Sequence, residues 1–104
     1  MIWAKVHERN FKGQTRLVYA ACDARLLGKV LKGTKGSQLD LKTHRAFYEG
    51  QKVTAEELSL ILKGAGNVNL VGDETIEAAS TVLPVKKAHA KKFGGVPHLQ
   101  FYRI

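Results

Sequence analysis

The chain has 104 residues, 44% of them apolar and 25% charged, which is ordinary for a soluble globular protein of one compact domain, 1–104. Its longest apolar run, Leu17-Val18-Tyr19-Ala20-Ala21-Cys22, is far too short to cross a membrane, and MIWAKVHERN lacks the apolar core of a signal peptide, so a cytoplasmic protein with no membrane partner is expected. One cysteine excludes an internal disulfide and a cysteine-rich zinc site, while a net charge of +8 points to a polyanionic partner.

Ile2 to His7 alternates in part between apolar and small or polar residues and predicts a strand. Glu8 to Gln14 holds Asn10 and Gly13, which are turn residues, and Thr15 to Cys22 predicts the return strand of a β-hairpin. Asp23 to Lys29 predicts a short helical turn, with Asp23 as its cap and Gly28 as its end. Val30-Leu31 and Ser37 to Leu41 predict two further strands joined by the glycine-rich turn Lys32-Gly33-Thr34-Lys35-Gly36. Those glycines lack the spacing of a phosphate-binding P-loop.

Thr54-Ala55-Glu56-Glu57 is a capping box, and Leu58, Ile61 and Leu62 then share one helical face until Gly64 and Gly66 end the helix. Asn67 to Gly72 predicts a brief strand or extended link. A second helix from Asp73 to Val82 opens with two acids, where the helix dipole favours them, and stops before Pro84. Leu99 to Ile104 predicts a terminal strand. The sum is an α+β fold, two helices packed on a mostly antiparallel sheet in a single compact domain.

The charge is unevenly spread. Residues 1–48 hold ten basic and three acidic side chains, residues 49–77 two basic and six acidic, and residues 78–104 five basic and none acidic. A basic chain with an acidic middle predicts a dipolar surface, one face of which attracts polyanions. Lys86, Lys87, Lys91 and Lys92 form two lysine pairs, followed by Gly94-Gly95, whose bare backbone N–H groups suit a close phosphate, and by His98.

Other chemistry has ordinary explanations. Four histidines show no metal-binding spacing, so neither a metal nor a cofactor is expected. Glu56-Glu57 and Asp73-Glu74 open helices, where capping accounts for them. Cys22 stands where a strand enters a turn, a place some nucleophiles use, but no sequence feature supplies a base beside it, and a small buried apolar residue at a strand end is the reading favoured. Phe47-Tyr48 and Phe101-Tyr102 are aromatic pairs that either close a core or stack on unpaired bases. Phe101 and Tyr102 point to opposite faces of their strand, leaving one of them for a partner.

Ala21-Cys22-Asp23, Leu26-Leu27-Gly28-Lys29, Phe47-Tyr48-Glu49-Gly50, Glu56-Glu57, Asn69-Leu70-Val71-Gly72-Asp73 and Gly95-Val96-Pro97-His98-Leu99-Gln100 follow one another across nearly the whole chain. In this ordered set the chain resembles the archaeal domain-of-unknown-function 424 family. The resemblance implies an archaeal, cytoplasmic companion of the translation machinery and supplies no catalytic residues.

Charge and resemblance together give the expectation of a non-enzymatic RNA-binding protein, ribosomal or ribosome-bound. Its partner would be RNA, rRNA first, contacted by Lys29, Lys32, Lys35, Arg45, Lys86, Lys87, Lys91, Lys92, His98 and Arg103. The alternative is a small enzyme or nucleotide-binding domain with a site near Cys22, Asn69–Asp73 and His98. A third reading sets the acidic 49–77 segment against a basic partner such as a ribosomal protein.

Overall fold

The computed structural model of the chain describes residues 1–103. Its elements in chain order are β1 (Ile2–Phe11), β2 (Gln14–Asp23), β3 (Val30–Lys32), β4 (Gln38–Asp40), α1 (Arg45–Tyr48), β5 (Gln51–Val53), α2 (Ala55–Leu62), β6 (Asn67–Val71), α3 (Asp73–Ser80), β7 (Lys91–Phe93) and β8 (Val96–Tyr102). Six strands form one sheet in the order β5-β1-β2-β6-β8-β7, parallel only between β2 and β6, and β3 and β4 form a separate hairpin. The expected α+β architecture is present.

The β1–β2 hairpin turns at Lys12-Gly13, whose φ angles of 50° and 79° are those of a two-residue loop matched to the twist of the strands. The strands therefore run on through the predicted turn region. Only their inner ends have further partners: β5 pairs with Ile2–Ala4 and β6 with Tyr19–Cys22. The distal part, Glu8 to Leu17, projects as an exposed two-stranded arm.

The strand period of two divides the core. Ile2, Ala4, Ala21, Val68, Leu70 and Leu99 face α2 and α3, where Leu58, Leu62, Ile76 and Ala79 meet them. Ala20, Cys22 and Val71 face the other way, under Leu26, Leu41 and Tyr48. The β3–β4 hairpin and α1 thus cover part of the second face, a partial third layer beyond the two expected.

The capping box of α2 forms as the sequence dictates, with Glu57 N donating to Thr54 Oγ1 at 3.1 Å and Thr54 N donating to Glu57 Oε1 at 2.8 Å. Asp23 behaves differently from expectation. It makes no side-chain cap on the 3-10 turn Ala24–Leu26 that follows it. Its buried carboxylate instead crosses to α3 and accepts from Thr75 N at 2.8 Å, Thr75 Oγ1 at 2.7 Å and Glu74 N at 3.3 Å. A negative group at this N-terminus satisfies orphan N–H donors and favours the helix dipole. Gly72 makes the approach possible: a Cβ there would lie 2.2 Å from Asp23 Cγ, and its φ of 105° disfavours any side chain.

Asp23→Ala is expected to cost about 2 kcal/mol, from the lost cap and the unpaired buried donors, and Gly72→Ala at least as much. Thermal unfolding checks this, with Tm falling by about 10 °C for each variant.

Candidate nucleic-acid interface

The lysine-rich segment folds into three parts rather than one patch. Lys86 precedes a 3-10 turn, Lys87–His89, and is exposed. Lys87 Nζ lies 3.0 Å from Asp73 Oδ1 and 3.6 Å from Glu77 Oε1, so its charge is directed onto α3. Lys91 and Lys92 stand on β7, which forms a hairpin with β8 through Gly94-Gly95, both at positive φ. Lys91 pairs with His98 and Lys92 with Pro97, so the two lysines take opposite faces of the sheet. The diglycine is a hairpin turn, and Pro97 sits inside a strand that begins earlier than expected.

The β3–β4 turn reaches this edge. Gly33 lies against the Phe93 ring, where an added Cβ would come within 2.8 Å of Cδ2, and this brings exposed Lys32 and Lys35 toward β7. At the other end of the same hairpin, the Arg45 guanidinium packs on Gly28 beside Lys29 and is held by Glu49 at 3.0 Å. Arg103 is exposed and stacks over Phe101, 5.5 Å from the ring centre. Of the ten expected contact residues, Lys32, Lys35 and Lys91 stand on two hairpins that meet at Gly33 and Phe93, Lys29, Lys86, Lys92 and Arg103 are exposed elsewhere, Arg45 and Lys87 are ion-paired, and His98 is half-buried.

His98 is half-buried. Its Nε2 lies 3.0 Å from Asn69 Oδ1, which also accepts from the Tyr48 hydroxyl at 2.8 Å. Since that oxygen only accepts, the His98 Nε2 carries the proton. Burial, and then the charge of Lys91, hold the His98 pKa below its ordinary value of 6.5. At neutral pH His98 therefore contributes hydrogen bonding rather than charge. Asn69, His98 and Tyr48 line a cleft of about 320 Å3 with Asp40, His44 and Phe47. Asp40 is held below the usual carboxylate range by the Thr43 backbone N–H and hydroxyl, which locks the loop after β4.

Cys22 belongs to no accessible site. It is fully buried, and burial, with Asp23 adding to it, pushes the thiol pKa up to about 12. The alternative reading thus loses its nucleophile, although Asn69 and His98 do meet. Among the described residues no three His, Cys, Asp or Glu side chains are grouped to hold a metal, and no helix is long and apolar enough to cross a membrane.

Three cations escaped the sequence reading: Arg9, Lys12 and Arg16 on the projecting arm. Their signal lay in the register of the hairpin, since a Lys12-Gly13 turn sets Arg9 opposite Arg16. The aromatic pair at the C-terminal strand divides as expected, Phe101 packing against the helix-side core and Tyr102 standing 55% exposed.

The fold and this surface define a small α+β domain that covers one sheet face with helices and leaves much of the other open and basic. The chain belongs to a family described as "Protein of unknown function (DUF424)", whose profile matches residues 11–104. The crystal structure of an uncharacterized conserved protein from Methanopyrus kandleri is similar in fold. It has a TM-score of 0.72 and 23% identity, covering 99% of this chain and 94% of that one. No curated protein matches the chain.

Two outcomes are expected. A thiol reagent should leave native Cys22 unmodified at pH 8 and label it once the chain is unfolded. For His98, the unfolded chain takes up a proton as pH falls below 6.5 while the folded chain resists it. Stability should therefore decline below that pH. Urea midpoints should fall less steeply with acid in His98→Gln than in the native protein.

Proposed function

We propose that this is a cytoplasmic RNA-binding protein of the translation machinery, bound to the ribosome through rRNA, with ribosomal proteins as its secondary neighbours. The observation that carries the reading is the charge. Net charge is +8, and among the described residues only Arg45 and Lys87 of the 17 lysines and arginines have a carboxylate within 4.0 Å. Five of the nine acids lie on α2 and α3, and Asp23, Asp40 and Glu49 are taken up by a helix cap, a turn and an ion pair. The arm holds Glu8 alone as its acid, so the cations of the β3–β4 turn, the β7 edge and the arm are left for an outside anion. Phosphate contacts of this kind position a protein without reading sequence.

One observation favours a second reading, a small-molecule or nucleotide site. Asn69 and His98, which are far apart in sequence, meet at the cleft beneath β4 and α1. Thermal shift with nucleoside phosphates tests it: a rise in Tm supports this reading.

For the leading reading, binding to total rRNA should weaken with salt at a log–log slope of about −3 to −5, for roughly four to six displaced counterions. The protein should sediment with ribosomes in low salt. Absence of RNA binding together with absence of sedimentation would end this reading.

A further inference from the structure

Residues opposite one another across an antiparallel ladder share a face. In the β1–β2 arm His7 pairs with Val18, Arg9 with Arg16, and Phe11 with Gln14. His7 stacks on Phe47 of α1 at 4.7 Å between ring centres, so this set points away from α2 and α3. The arm's acid, Glu8, pairs with Leu17 on the opposite, helix-side face. Arg16 then reaches across β6 to β8, where its Nη1 donates to Tyr102 Oη at 3.1 Å. The exposed Tyr102 ring and the exposed Phe11 ring therefore flank the arginine pair on one side of the sheet.

Arg9 and Arg16 stand on one face of an exposed ladder that has no third strand to support it. Neither has a carboxylate within 4.0 Å among the described residues, and the Arg16 guanidinium, turned toward β8, also donates to Gln14 Oε1 at 3.4 Å. Both charges are left for an outside anion. Both rings are exposed, with Lys12 Nζ 5.5 Å from the centre of the Phe11 ring, and Gln100 lies between Tyr102 and His98 along β8, offering both donor and acceptor.

We propose that this open face docks an unpaired segment of RNA, with its phosphates held by Arg9 and Arg16 and bases stacked on Tyr102 and Phe11. The proposal deepens the RNA-binding reading and rests on it. A duplex hides its base faces, so flat aromatic side chains gain little from it, whereas an unpaired strand presents a ring at each nucleotide. The lysines of β7 stand at the other end of β8, opposite His98 and Pro97, and with those of the β3–β4 turn supply the non-specific part of the attraction.

Fluorescence anisotropy in low salt separates the possibilities, with a mixed-sequence single strand of about 12 nucleotides and the matching duplex as probes. The single strand should bind about tenfold more tightly than the duplex, and Tyr102→Ala or Phe11→Ala should each weaken it by about tenfold while leaving duplex binding unchanged. Lys91→Gln with Lys92→Gln should weaken both probes alike. Arg9→Gln should weaken RNA binding with little change in Tm, because Arg9 is exposed and has no carboxylate within 4.0 Å among the described residues. Circular dichroism confirms the fold of each variant.

Equal binding of both probes, insensitive to Tyr102 and Phe11 but lost in the lysine variant, overturns the sheet-face proposal and leaves the RNA reading standing. Failure of the protein to bind either probe overturns the sheet-face proposal, and with absence of sedimentation with ribosomes it overturns the RNA reading as well. Binding of an acidic peptide in preference to RNA, lost in Arg9→Gln, identifies a protein partner for this face and also overturns the proposal.

Discussion

A carboxylate buried at a helix N-terminus ties together the two halves of this fold. Asp23 ends β2, and 52 residues later the Thr75 backbone N–H and hydroxyl both donate to it. The contact holds because residue 72 is glycine, and any Cβ there would occupy the space of the carboxylate. It fixes how α3 leaves β6 and lies back on the sheet, and α2 packs beside it with Ser59 Oγ donating to the Ala78 carbonyl at 3.0 Å. Once those helices own one face, the period of two along each strand assigns every other side chain to the opposite face.

That opposite face is where the chemistry of the molecule gathers. Its inner end is closed by the β3–β4 hairpin and α1, which bury Cys22 and Tyr48. Its outer end, built from the arm and the distal parts of β6 and β8, remains open. Neutral polar groups, Asn69 and His98, lie at the boundary, and cations and exposed rings lie beyond it. A surface graded in this way has electrostatic attraction at its rim and stacking platforms toward its outer end. An unpaired polyanion with aromatic bases needs both.

Much of this was legible in the sequence because local rules governed it. The capping box at Thr54 and Glu57, the first hairpin, and the strand at Asn67 depend on spacing within a few residues, and each appears where expected. Asp23 was misassigned because its partner is distant, and a capping residue followed by a turn looks the same whichever helix it serves. β7 escaped notice because it has three residues and two are lysines, although the diglycine after it was a hairpin signal. The short β5 and one-turn α1 lacked any period long enough to read. The lysines of 86–92 were grouped by proximity in the chain, but strand pairing and the ion pairs of Lys87 part them in space. The arm cations Arg9 and Arg16 were scattered in sequence, and only the register of β1 against β2 brings them together.

The central claim is that the open outer part of the sheet face opposite α2 and α3, and not the lysine-rich segment alone, receives RNA. The most direct measurement is the amide chemical-shift map of the labelled protein titrated with a short single-stranded RNA. The account predicts that perturbations concentrate on Arg9, Phe11, Arg16, Gln100 and Tyr102, with α2 and α3 unmoved. Shifts confined to 86–92 and the β3–β4 turn, with the arm and β8 silent, would contradict it.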